Sequence, residues 1–152
     1  MNAHLIPLAE NAGVPNNPQL PARRYPSALK GQSAAQVRDH LKARDWFGSW
    51  TGQMYDFHHY HSHAHEVIVV LLGQARVILG GAGGPELVVG EGDVLLIPAG
   101  VGHCSLHHSA DFQVMGAYAA GRDWDICRPE ETGLAWAKAR IAGVPDWAQE
   151  PV

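Results

Sequence analysis

Cysteine is nearly missing from this chain. Only Cys104 and Cys127 occur in 152 residues, which excludes a disulfide framework as the source of stability. Charge is also scarce: 17% of residues are Asp, Glu, Lys or Arg, the formal net charge is -4, and no basic block occurs. Such a balance excludes the electrostatic footprint of a nucleic-acid binder. The longest apolar run, Val67 to Leu72, falls far short of the roughly 18 residues a membrane span needs. Met1 to Ala9 lacks a basic start followed by an adequate apolar stretch, so no secretory leader is read there. The expectation is a cytoplasmic protein without nucleic-acid or membrane partners, with a small-molecule ligand or substrate and a second copy of itself, as a homodimer, for partners.

Turn formers, by contrast, are plentiful, with 17 glycines and 10 prolines. Up to about Leu29 the prolines exclude a helix interior, because each lacks an N–H donor and disfavours helix just before it. This stretch reads as an extended arm that covers a sheet edge or reaches a partner subunit. Ser33 is placed to cap a short helix over Ala34 to Ala43, where Ala34, Val37 and Leu41 recur at helical spacing. From Trp46 the chain breaks into short strands punctuated by Gly80–Gly84, Gly90–Asp93 and Pro98–Gly102. A second helix is read within Glu130 to Ala142, stopped by Gly143-Val144-Pro145. The expected division is an arm and helix over 1–45, an all-β barrel over 46–128, and a helix and tail over 129–152, in one structural domain. There is no internal repeat to suggest two barrels.

Histidine is concentrated rather than scattered. Eight of the ten lie in two windows, His58 to His65 and His103 to His108. On an extended strand alternate side chains share a face, so His59 and His61 point together, away from His58 and Tyr60. Glu66 opens the apolar strand that follows and can meet both imidazoles if that strand pairs back in the same sheet. His103, on a later strand, would complete the set. Three neutral imidazoles and one carboxylate suit one divalent transition metal, whether Fe, Mn, Ni, Zn or Cu. His61 and His65 at helical spacing would resemble a zinc-protease pair, but Val67 to Val70 favours strand.

The same residues carry a family resemblance. Gly52…His59-Tyr60-His61…Glu66…Gly73 resembles the first cupin motif, with Gly52 one residue further from the histidine pair than usual. Gly92-Asp93…Pro98-Ala99-Gly100…His103 resembles the second, with His107 where the family usually has asparagine. More narrowly, Tyr55 to Ser62 and Gly116-Ala117-Tyr118…Asp123-Trp124-Asp125 resemble small single-domain bacterial cupins of the YjlB type. The resemblance implies a two-sheet jelly-roll barrel (a double-stranded β-helix, RmlC-like) with metal ligands His59, His61, Glu66 and His103 inside its mouth. Family members include dioxygenases, decarboxylases, epimerases, isomerases and non-enzymatic binders, so the reaction is not fixed by the fold.

His107 shares strand parity with His103, which makes it the candidate catalytic proton shuttle, or else a rim residue in water. His65 is expected to face away from Glu66 and to hydrogen-bond near the mouth, and His63 to sit exposed in a turn. Cys104 reads as a buried apolar residue, and Trp46, Trp50 and Trp124 as core or arm packing. The leading function is a metal-dependent enzyme on a small oxygen-bearing molecule, of dioxygenase, isomerase or decarboxylase type. The alternatives are a non-catalytic binding or sensing module and a barrel merely stapled by its metal.

Overall fold

Glycine and proline cut the chain into short elements, and the computed structural model, which describes residues 2–152, resolves them as strands and two helices. In chain order these are β1 (His4–Ile6), β2 (Ala22–Tyr25), α1 (Ala34–Lys42), β3 (Trp46–Gly52), β4 (Glu66–Leu72), β5 (Gln74–Leu79), β6 (Glu86–Gly90), β7 (Val94–Ile97), β8 (His103–His108), β9 (Gln113–Ala119) and α2 (Leu134–Ala142). They form a six-stranded sheet in the order β1-β2-β7-β4-β9-β3 and a three-stranded sheet in the order β6-β5-β8. All pairings are antiparallel.

β4 lies between β7 and β9, and its sequence reads as a continuous apolar run because both of its faces are covered. Ile68 and Val70 point into the space between the sheets, where they pack with Leu95, Ile97, Val77 and Leu79. Val67, Val69 and Leu71 point the other way, onto Val37 and Leu41 of α1 and onto Trp46. This alternation decides which residues at the start of the strand can reach the barrel interior. Glu66 has the parity of Ile68 and faces inward; His65 has the parity of Val67 and faces out.

The Pro-rich arm is not merely draped over the body. Its β2 pairs with β7, and β1 pairs with β2, so the arm covers an edge of the large sheet within the same chain. Asp93 anchors it, accepting from the Ser27 amide at 2.7 Å and from Arg24 Nη2 at 3.0 Å. Gly92 beside it has φ +84°, and a Cβ there would lie 2.4 Å from the Lys30 backbone, so the arm closes only over glycine. α1 begins at Ser33 as expected, with a reciprocal capping box between Ser33 and Gln36. α2 starts later than the composition suggested, at Leu134, and packs Ala137 and Ile141 against Val14 and Tyr60.

Candidate metal centre

His59 and His103 form an isolated antiparallel bridge, with His103 N–H donating to the His59 carbonyl at 2.9 Å. Residues directly opposite across such a pair present their side chains to the same face. The two rings accordingly lie 4.1 Å apart between centroids. His61, two residues on, turns to the same side, 5.6 Å from His59 and 5.3 Å from His103. One ring nitrogen from each of the three histidines lies within 4.8 Å of the others, a grouping that could hold a metal ion. Glu66 meets them from the centre of the large sheet, its Oε1 at 3.1 Å from His61 Nε2 and 3.3 Å from His103 Nε2. All four side chains are buried.

The outer nitrogens decide the protonation of these rings. Nδ1 of His59 donates to the Phe57 carbonyl at 3.0 Å, and Nδ1 of His103 to the Val101 carbonyl at 3.1 Å. Nδ1 of His61 donates to the Asp125 carbonyl. A carbonyl only accepts, so each Nδ1 carries a proton, and any ring in its neutral form turns an Nε2 lone pair inward. Two of those lone pairs then face a carboxylate oxygen. Lone pairs at 3.1–3.3 Å repel unless a cation stands between them, either a proton or a metal. The donor set therefore fits a divalent cation of the borderline class that imidazole and carboxylate share.

The electrostatics run the same way. Burial, reinforced by the neighbouring His103, pushes the His59 pKa down to about 2, which keeps that lone pair free. For His61 burial acts downward, but the Glu66 charge and hydrogen bond outweigh it and raise the pKa. Burial would raise the Glu66 carboxyl, yet the His61 charge and the bonds from His103 and His61 hold it well below the ordinary carboxylate range. The carboxylate is thus ionised and requires a positive partner.

Over these four residues opens a cavity of about 410 Å³, walled by Trp50, Met54, Tyr55, Tyr118 and Trp124. Tyr118 stands directly across from Glu66 in the β4–β9 register. Its hydroxyl accepts from Trp50 Nε1 at 2.9 Å. Burial, then the Glu66 charge, pushes its pKa far above the usual phenol value. A larger groove of about 920 Å³ runs between the arm and α2, but it lies apart from the histidine cluster. Its one histidine, His65, already uses both ring nitrogens.

A family model described as a cupin domain matches residues 50–114. Over 145 residues the chain is 37% identical to the uncharacterized protein YjlB of Bacillus subtilis (strain 168), spanning 94% of this chain and 86% of that protein. The chain belongs to the cupins, in the YjlB group. Among solved structures, acireductone dioxygenase from Bacillus anthracis aligns with a TM-score of 0.44 at 13% identity, over 68% of this cupin and 80% of that chain. A mutant of Bacillus subtilis oxalate decarboxylase aligns with a TM-score of 0.44 at 15% identity, over 82% of the cupin and 33% of that chain. The epimerase RmlC from Legionella pneumophila gives 0.40 at 14% identity, over 98% of the cupin and 85% of that chain.

The cupin brings together His59, His61, Glu66 and His103, but it does not bring His107 to them. A bulge on β8 opposes Val77 to Ser105 and Arg76 to His107, so Leu106 is an extra residue and parity is lost beyond Ser105. His107 is exposed beside Arg76, outside the cavity lining. His65 faces away from Glu66 as expected, but it lies buried rather than near the mouth. It accepts from the Ala99 amide at 2.9 Å, donates to the Pro145 carbonyl at 3.1 Å, and meets the Trp147 ring edge-on. His63 is half-buried, and the Arg122 guanidinium packs on its ring. Tyr60 is fully buried against Cys127 and α2, which makes it a packing residue. Cys104 is buried, and burial with the Asp56 charge raises its thiol pKa, in keeping with an inert side chain. Trp46 is core, as read from the sequence, whereas Trp50 and Trp124 wall the cavity instead.

Asp125 is the residue that sequence reading missed. Its carbonyl receives the His61 ring proton, and its carboxylate accepts from the Ser62 amide at 2.8 Å, from the Ser62 hydroxyl and from Cys127 Sγ. Burial would raise this carboxyl, but the Ser62 bonds outweigh it and hold its pKa low. The available signal was its place in Asp123-Trp124-Asp125, close behind the last barrel strand.

Proposed function

We propose that this cupin is a metal-dependent enzyme that acts on a small oxygen-bearing molecule bound at one divalent transition metal. The supporting observation is the trio of imidazoles whose Nδ1 protons are all spent on main-chain carbonyls, which leaves their Nε2 atoms free, those of His61 and His103 lying 3.1 and 3.3 Å from Glu66 Oε1. His59, His61, Glu66 and His103 would hold the metal. When bound, such a metal supplies Lewis-acid polarisation, activation of water, or dioxygen chemistry if it is iron. The chain's own residues do the rest. Glu66 is kept ionised by its imidazole neighbours, Tyr118 stands opposite it in the β4–β9 register, and the aromatic walls exclude water and so strengthen charge interactions at the centre. Dioxygenase, isomerase and decarboxylase types of reaction all fit this arrangement.

Elemental analysis of protein purified without added metal tests the reading. About one equivalent of a divalent transition metal per chain is expected, lost in His103→Ala. Absence of bound metal, together with no rise in melting temperature on adding Fe, Mn, Ni, Zn or Cu, would overturn it.

One observation favours a second reading, a non-catalytic binding or sensing cupin. With His107 outside the cavity, the titratable groups lining it besides the four ligands are Tyr55 and Tyr118. Saturable binding that returns the ligand unchanged after long incubation would select this alternative. A cytoplasmic site of action agrees with two buried free cysteines. Among the described residues no helix is long and apolar enough to cross a membrane. Homodimerisation is part of the proposal, through sheet edges that the arm leaves open, and sedimentation of a monomer at working concentration would refute it.

A further inference from the structure

We infer that the cavity selects a flat, ring-bearing ligand that is uncharged except for one anionic oxygen head directed at the metal centre. This rests on the reading of His59, His61, Glu66 and His103 as a metal site, and it specifies the class of molecule that site admits.

The walls carry the first argument. Tyr118 and Trp124 lie stacked, with an interplanar angle of 14° and ring centroids 5.5 Å apart. Two of the polar ends that such rings would normally offer a guest are already used, since Trp50 Nε1 donates to the Tyr118 hydroxyl at 2.9 Å. The cavity therefore presents ring surface and few hydrogen-bonding groups, and ring surface is best covered by another ring. Trp124 and Tyr55 remain 45% and 46% exposed at the same pocket, a large aromatic area for a globular surface.

Charge carries the second argument. Among the described residues no lysine or arginine lines the cavity. The arginines that flank Trp124 or reach the segment beside His61 are committed elsewhere. Arg122 is bonded to His63, Arg128 lies over the Phe57 ring and pairs with Glu130, and Arg140 binds Ser62 and lies over Trp136. A second carboxylate or a phosphate on the guest would be stripped of water with no counter-ion, which disfavours polyacids and phosphorylated sugars. A cationic tail gains little either, since one carboxylate does not neutralise a divalent ion. The volume of about 410 Å³ has room for one or two rings.

Ligands that share one metal-seeking head and differ only in their tails test this. Zinc-loaded full-length protein, its metal content first measured, is titrated with benzohydroxamate, acetohydroxamate, the monohydroxamate of succinate and a trimethylammonium hydroxamate. Quenching of tryptophan fluorescence and calorimetry give the affinities. Benzohydroxamate is expected to bind about tenfold more tightly than acetohydroxamate, and the succinate and trimethylammonium compounds no better than acetohydroxamate. Trp124→Ala should shrink the benzo-to-aceto ratio and Trp124→Phe should largely restore it. Equal affinities for benzohydroxamate and acetohydroxamate, or tightest binding of either charged tail, would overturn the inference while leaving the metal reading intact. Failure of the protein to take up zinc would instead remove the metal reading, and this inference with it.

Discussion

Gly116→Ala is a one-methyl test of how the cavity wall is built. Gly116 lies on β9 opposite Trp50 of β3, and the indole covers the space where a side chain would stand. A Cβ built there would sit 2.4 Å from Trp50 Cε2 and Cζ2 and 2.5 Å from Nε1, where ordinary contact begins at 3.4 Å. The indole must therefore retreat by about 1 Å, which strains the wall by about 1–3 kcal/mol. The same shift breaks the 2.9 Å bond from Trp50 to the Tyr118 hydroxyl, worth about 1 kcal/mol. Against this stands the gain from replacing glycine in a strand, about 0.5–1 kcal/mol, fully available because Gly116 does not use positive φ. The net expectation is destabilisation by about 1–3 kcal/mol in the wild type. In a Trp50→Ala background the obstruction is gone, and the same change should stabilise by about 0.5–1 kcal/mol. Urea unfolding of the four proteins, followed by circular dichroism, measures the cycle. The reasoning fails if Gly116→Ala destabilises equally in both backgrounds, since the cost would then not come from the indole.

Burial lowers the His65 pKa to about 4 from 6.5, so protonation favours the unfolded chain. Its contribution of about 3 kcal/mol is complete above pH 6.5, falls as pH drops, and is gone below about 4. His65→Gln should flatten the dependence of the urea midpoint on pH across that window, and an unchanged slope would contradict the assignment. Asp125→Ala releases Ser62 and loosens the carbonyl that orients His61, so metal affinity should fall about 10–100-fold in competition with a chromophoric chelator. Unchanged affinity, whatever the stability, would deny Asp125 that role. The Cys127 thiol is pushed up to about 11, by burial first and by Asp125 next, so at pH 8 it should resist an aromatic disulfide reagent until the protein unfolds. Rapid reaction of the native thiol would refute this.

Much of the convergence of His59, His61, Glu66 and His103 was legible because it rests on strand parity, which a sequence displays. His59 and His61 are two apart, and Glu66 begins an apolar run whose alternate members line the interior. His103 follows a Pro-Ala-Gly turn that ends a strand. Where parity broke, so did the reading: the bulge after Ser105 turns His107 outward, and nothing in Ser105-Leu106-His107 announces an extra residue. The arm strand Ala22-Arg23-Arg24-Tyr25 has too little apolar alternation to be read alone, and it exists because β7 offers it an edge. Trp50 and Trp124 could be read only as packing, since their shared cavity depends on a register between strands and on a loop far along the chain. His65 finds its partner at Pro145, eighty positions away, which no local pattern encodes.

The ring protons of the three histidines end on peptide carbonyls of Phe57, Val101 and Asp125 rather than on side chains. Every amino acid supplies that acceptor, so half of the hydrogen bonding that sets the tautomers leaves no trace in residue identity. Exchanging the side chain at 57 or 101 can leave the donor geometry untouched, whereas a shift in local chain path would rotate an imidazole without altering any ligand. A survey that inspects only letters would therefore pass over the defects most able to disarm this centre.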